Sequence, residues 1–156
     1  MNTNLIITDN FYQDPDEIRE YALTQEFSVK GNYPGQRTVP YHDWPGLKDS
    51  IQYIVRNAGG EISGYETEYT SCFQYTTKDD SSWIHPDHTT MWAGVCYLTP
   101  NAPVSGGTGL FRHKETGLEK PPRLKDGSYD EKWLDEHVWP HSRDFSKWDM
   151  TAMVGN

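Results

Sequence analysis

The apolar positions of this chain follow two periods, and the change falls near Gly60. Before it, an Asp14-Pro15-Asp16-Glu17 start is followed by Ile18, Tyr21, Ala22 and Gln25 at helical spacing. Asp14 suits an N-cap, Pro15 the first helical position, and Glu17 the return arm of a capping box. A second helix is predicted over residues 45–58, where Leu47, Ile51, Ile54, Val55 and Ala58 form one stripe and Gly59-Gly60 ends it. Both helices read as packing elements. Residues 5–8 suit a first strand, and residues 30–41, with recurring Gly and Pro around Arg37, have loop chemistry.

After Gly60 the period becomes two. Tyr65, Thr67, Tyr69, Ser71, Phe73 and Tyr75 alternate with Glu66, Glu68, Thr70, Cys72, Gln74 and Thr76, which predicts one long strand. A turn at residues 78–82 follows. Residues 91–98 (MWAGVCYL) read as a strand buried on both faces. A Pro- and Gly-rich loop covers 99–109, and residues 110–113 return to strand. Residues 114–147 are polar and irregular, with a short helix expected around 129–135 where Trp133 and Leu134 can dock. Residues 150–154 begin another strand. Helices followed by antiparallel strands predict an α+β chain, one domain over residues 1–156, with a β-sandwich or open barrel at its centre.

Composition narrows the function classes. The chain of 156 residues has room for one core, and its 13% aromatic content, with six Trp and ten Tyr, argues against disorder. Mean hydropathy is -0.84, so extensive polar loops are expected. A net charge of -9 repels phosphate backbones, and basic residues cluster only briefly, as at Arg112, His113 and Lys114, so nucleic acid is not an expected partner. Cys72 and Cys96 read as reduced core thiols. The first residues carry no signal-peptide pattern and no stretch reaches transmembrane length, so a cytoplasmic protein without a membrane partner is expected.

The sharpest local chemistry is Trp83-Ile84-His85-Pro86-Asp87-His88. In an extended segment, residues two apart share a side, so His85 and Asp87 present an imidazole and a carboxylate to one point. These are two of the three groups of a facial 2-His-1-carboxylate iron site. Alone the pair is a weak signal, because a surface turn with His and Asp is common. Its context adds to it: a long strand precedes it, the MWAGVCYL run follows, and then comes Ser105-Gly106-Gly107-Thr108-Gly109-Leu110-Phe111.

That order resembles the 2-oxoglutarate/Fe(II)-dependent oxygenase superfamily, in particular its prolyl-hydroxylase-like branch. There a His-x-Asp pair, a strand ending in Tyr-Leu and a Gly-Gly-(Glu/Thr)-x-x-Phe turn follow one another on a double-stranded β-helix. Asn10-Phe11 with Asp14-Pro15-Asp16, the Tyr33-Pro34-Gly35 loop and the stretch 106–113 resemble a group of bacterial and phage proteins within that superfamily. The resemblance spans nearly the whole chain. It implies a jelly-roll or cupin-like core with N-terminal helices, and a dioxygenase that hydroxylates a small molecule, amino acid or peptide. It also implies that His85 and Asp87 bind Fe(II), that strands 72–75 and 95–98 wall the pocket, and that Tyr75, Gln74 and Tyr97 are candidate contacts of 2-oxoglutarate. Gly106-Gly107 would turn the chain through the free φ of glycine.

The pattern is incomplete. The superfamily takes a second His from a later strand, followed by an Arg or Lys that pairs with the distal carboxylate of the cosubstrate. His88 would point away from Asp87, His113 comes too early, and His137 and His141 lie in a Trp- and Pro-rich segment that resembles an insertion. The missing groups are therefore expected beyond Asn156, and the chain reads as C-terminally truncated. Completion by His137 or His141 is the alternative. An open sheet edge would invite homodimerisation.

Two rival readings remain. One is a metal-free β-sandwich binding module that presents Trp83, Trp92, Trp133, Trp139 and Trp148 to a sugar or protein. The other is a cupin-like metal enzyme that does not use 2-oxoglutarate, but the chain lacks the expected His-x-His pair. No Gly-x-Ser-x-Gly elbow supports a catalytic triad.

Overall fold

A computed structural model describes residues 5–40, 45–65, 67, 69–87 and 90–155. The Tyr41 end of the expected loop, Glu66 and Glu68 of the expected strand, and His88 lie outside the described residues. The chain divides into two compact units, Met1–Asp80 and Ser81–Asn156. Helices and strands are both present, so the fold is α+β, and the two sheets of the described residues are each two-stranded.

In the first unit, helix α1 spans Pro15–Leu23 and starts as the sequence predicts. The Glu17 backbone N–H donates to Asp14 Oδ1 at 3.0 Å, satisfying one of the helix's orphan amides. Helix α2 spans Leu47–Gly59 and stops at Gly60, whose φ of 76° lies in the left-handed region. Gln52 fastens the chain as it leaves this helix. Its amide donates to Gly60 O at 2.7 Å, and its Oε1 accepts from the Ile62 N–H at 2.6 Å.

Strand β1 (Gln36–Arg37) pairs antiparallel with β2 (Gln74–Tyr75), setting Gln36 opposite Tyr75 and Arg37 opposite Gln74. Thr38 extends the pairing: its N–H donates to Phe73 O at 2.9 Å, and its hydroxyl accepts from the Phe73 N–H at 3.1 Å. The turn into β1 depends on Gly35. Its φ is 76°, and a Cβ there would lie 1.8 Å from the Tyr75 carbonyl oxygen.

In the second unit, β3 (Thr108–His113) pairs antiparallel with β4 (Trp148–Val154), with a bulge between Leu110 and Phe111. The segment between them folds into α3 (Glu131–Trp133), whose N-cap Asp130 accepts from the Trp133 N–H at 3.1 Å. A π-helical turn, Leu134–Val138, and a 3₁₀ turn, Trp139–His141, continue it. Leu134, Val138 and Trp148 are buried together, with Ile84, Phe111, Tyr129, Trp133 and Trp139 packed around them.

Several expected strands are not formed. Residues 5–8 make no strand. Among the described residues of the alternating run 65–76, Gln74–Tyr75 alone are in a strand: the Thr70 N–H donates to Thr67 O at 3.2 Å, as in a turn, and Ser71 has a left-handed φ of 55°. An extended ladder cannot pass through that conformation. The MWAGVCYL run forms no strand either, and Met91 and Val95 are 80% and 67% exposed rather than buried. Its apolar sequence is the same whether or not a second sheet covers it. The Gly106-Gly107 turn is made, but neither residue has positive φ. Gly107 is required by space instead, since a Cβ would lie 2.3 Å from Val154 O.

Gly35 and Gly60 share a φ of 76°, but only Gly35 has a neighbour within contact of an added Cβ. Gly60→Ala should lose about 1–3 kcal/mol of unfolding free energy, the cost of holding an L-residue in a backbone region that glycine alone populates freely. Gly35→Ala should lose clearly more. Urea titration of both variants checks this, and equal losses would refute the close-approach account.

Candidate functional site

The segment carrying His85 and Asp87 belongs to the second unit and is moored on one side. Ile84 packs on the Leu134–Val138–Trp148 core, and its N–H donates to Ser142 O at 2.8 Å. The Trp83 ring lies 4.9 Å beneath the Arg143 guanidinium, which donates to Ser81 Oγ at 3.5 Å. With Ile84 held inward, the next residue in an extended chain points away from the core. His85 and Asp87 accordingly keep 43% and 60% of their side-chain surface exposed, with Nε2 and Oδ1 3.8 Å apart.

His85 Nδ1 lies 3.1 Å from the Trp83 carbonyl oxygen. A carbonyl only accepts, so the neutral ring carries its proton on Nδ1 and leaves the Nε2 lone pair on the side of Asp87. The segment can therefore offer a nitrogen and a carboxylate donor side by side. Among the described residues, no three His, Cys, Asp or Glu side chains converge closely enough to hold a metal ion.

The other sequence-predicted site residues are placed as follows. Tyr97, also in the second unit, bonds its hydroxyl to Thr108 Oγ1 and lays its ring where a Cβ on Gly155 would stand. Gln74 and Tyr75 belong to the first unit. Gln74 Oε1 accepts from Arg37 Nε at 2.6 Å, and its amide donates to Pro34 O at 2.8 Å. Tyr75 meets Phe27 edge to face at 5.0 Å. Neither cysteine forms a disulfide; Cys72 is half-buried and Cys96 exposed, so neither is the core residue expected.

A cluster of histidines joins His113 of β3 to His137 and His141, which lie in the segment that resembles an insertion. His113, fully buried at the end of β3, bonds through Nε2 to His141 Nδ1 at 2.9 Å and through Nδ1 to Thr116 Oγ1 at 3.2 Å. Its ring stacks on His141 with centroids 5.1 Å apart, and His137 and Trp148 lie 5.8 and 4.8 Å away. The Trp148 indole N–H donates to His141 O at 2.9 Å. The only advance signal was the i, i+4 spacing of His137 and His141, with nothing to indicate that His113 would meet them.

Burial holds the His113 imidazole below its usual pKa, and the neighbouring His141 and His137 reinforce this. The Nε2–Nδ1 bond also needs one bare nitrogen facing one N–H, so it fails when both rings are fully protonated. Because the folded pKa is depressed, the unfolded chain binds more protons once the pH falls through about 6.5, the unperturbed histidine value. Stability should therefore be full above that pH and decline below it. His113→Gln should flatten this dependence. Urea midpoints read by Trp fluorescence between neutral pH and pH 5 check this, and equal acid sensitivity in the variant would remove His113 as the cause.

Comparison with known proteins adds a family without a described activity. No curated protein and no solved structure matches the chain. Residues 1–142 match the pattern of DUF6445, described as a family of unknown function. That match covers most of the sequence, including His85, Asp87 and all three residues of the histidine cluster, and the chain belongs to the DUF6445 family.

Proposed function

We propose that this chain is an Fe(II)- and 2-oxoglutarate-dependent dioxygenase that hydroxylates a small molecule, an amino acid or a peptide. The observation that carries the reading is the His85–Asp87 pair, 3.8 Å apart, with His85 Nδ1 tied to the Trp83 carbonyl. A metal-ligating histidine usually donates its other ring N–H to such a carbonyl, which fixes both tautomer and ring orientation. An imidazole nitrogen and a carboxylate suit ferrous iron, and the pair fits two of the three protein positions of a facial site. Iron bound there would supply oxygen activation, with 2-oxoglutarate as the reducing cosubstrate.

His85 and Asp87 are the metal-holding residues in this reading. Roles for Gln74, Tyr75 and Tyr97 toward 2-oxoglutarate rest on the family resemblance alone. A double-stranded β-helix core is part of the same proposal, supported by the antiparallel β3–β4 pair entered through Gly106-Gly107.

A second reading, a metal-free binding module, is favoured by the exposure of Met91 and Val95 within an eight-residue apolar run. Exposed contiguous apolar surface commonly marks a docking site.

One experiment separates the two. Anaerobic Fe(II) titration with 2-oxoglutarate should develop the visible charge-transfer band of the chelated complex, and His85→Ala should abolish it. A band of equal strength in that variant would sink the assignment to this pair. No band, together with thermal stability indifferent to chelator, would favour the module.

A further inference from the structure

Among the described residues, Arg37 is held in place by neutral groups. Its guanidinium carbon lies 3.8 Å from the centroid of the Tyr33 ring and 5.5 Å from that of Tyr69. Its Nε donates to Gln74 Oε1 at 2.6 Å, and Gln74 is held in turn by Pro34 O. Tyr33 is anchored as well, through its hydroxyl to Val29 O at 3.1 Å. Backbone bonds between Val29 and Arg37 at 2.9 and 3.0 Å, and the tight seat of Gly35 on Tyr75, set the strand beneath it.

The terminal nitrogens are treated differently. Among the described residues, no carboxylate pairs with Arg37 and no acceptor takes its two Nη groups. Arg112, by contrast, directs Nη2 to Glu119 at 2.6 Å, and Arg123 uses both Nη groups on Gly127 O and Tyr129 OH. An oriented cation without an internal counter-charge is notable in a chain with 23 acidic and 14 basic residues.

We propose that the Arg37 fork, framed by Tyr33, Tyr69 and Gln74, binds the carboxylate of a small organic acid. Two coplanar oxygens match two parallel N–H donors, the bidentate geometry that distinguishes arginine from lysine. The side chain is already ordered, so binding loses little rotamer freedom. One fixed positive charge on a chain of net charge -9 suits a monoanionic carboxylate better than a phosphate dianion. The charge acts locally: burial pushes the Cys72 thiol up, and Arg37 opposes that shift.

The site lies within the first unit and is independent of the proposed iron chemistry, so the test uses the full chain after metal stripping. Calorimetric titration with pyruvate, lactate and inorganic phosphate is compared in the wild type, Arg37→Gln and Arg37→Lys. Saturable one-site binding of the two organic acids is expected, weakened about tenfold or more in Arg37→Gln, the scale of a lost charge-assisted pair. Arg37→Lys keeps the charge but not the fork and should also bind less tightly, which decides the matter if the glutamine variant fails to fold. Absence of binding, affinity unchanged in the folded variants, or tighter binding of phosphate than of the organic acids would overturn the proposal.

Discussion

The second unit depends on burying an imidazole. His113 is fully enclosed, and a buried ring nitrogen left without a partner costs about 1–3 kcal/mol. Here both nitrogens have partners, one on Thr116 in the turn after β3 and the other on His141, twenty-eight residues further along the chain. That second bond holds the end of the irregular helical segment against the strand pair. The same segment places Leu134 and Val138 on Trp148, whose indole returns a bond to His141 O. The polar contact sets where this stretch sits, and the apolar side chains on either side of it make the position favourable.

The consequence reaches the proposed metal ligands. Ser142, next to His141, accepts the Ile84 N–H, and Ile84 packs on the same buried cluster. His85 is thus one residue from a position fixed by both a hydrogen bond and packing. An exposed pair on a free loop would sample many geometries, whereas this pair directly follows the moored Ile84 and its tautomer is set by the Trp83 carbonyl. Acid that fully protonates the histidine bond would loosen the mooring as well, which links the stability of the core to the geometry of the exposed pair.

Much of this was legible in the sequence, and the failures share a cause. The N-cap at Asp14, the glycine stop after α2, the helix near Trp133 and the strands through Phe111 and Ala152 all follow from local chemistry and were readable. The run 65–76 alternates well enough for a strand, yet a left-handed Ser71 interrupts it, and a single residue's φ leaves no periodic trace. MWAGVCYL reads as buried because apolar composition cannot tell whether a partner sheet lies over it. His113, His137 and His141 were each weighed as a possible second ligand, but that they meet was not legible because the contact is long-range. The closeness of His85 and Asp87 was legible because both lie in one extended segment, where the side shared by alternate residues is a local property.

The two units also show different ways of presenting charge. In the second, His85 and Asp87 stand next to each other with a ring lone pair facing a carboxylate, so a cation would be shared by both donors. In the first, Arg37 is restrained by rings and an amide, and no carboxylate among the described residues pairs with it, so an anion would add a contact. A carboxylate that shared Gln74 or the tyrosine rings with Arg37 would lower the potential the guanidinium presents. Neutral restraint keeps the orientation without that loss. The Tyr-Pro-Gly turn is what permits it. Gly35 lets the chain press onto Tyr75, Pro34 offers the carbonyl that fixes Gln74, and Tyr33 lays its ring under the cation. Three consecutive residues, none of them a carboxylate, thus determine where Arg37 points its terminal donors.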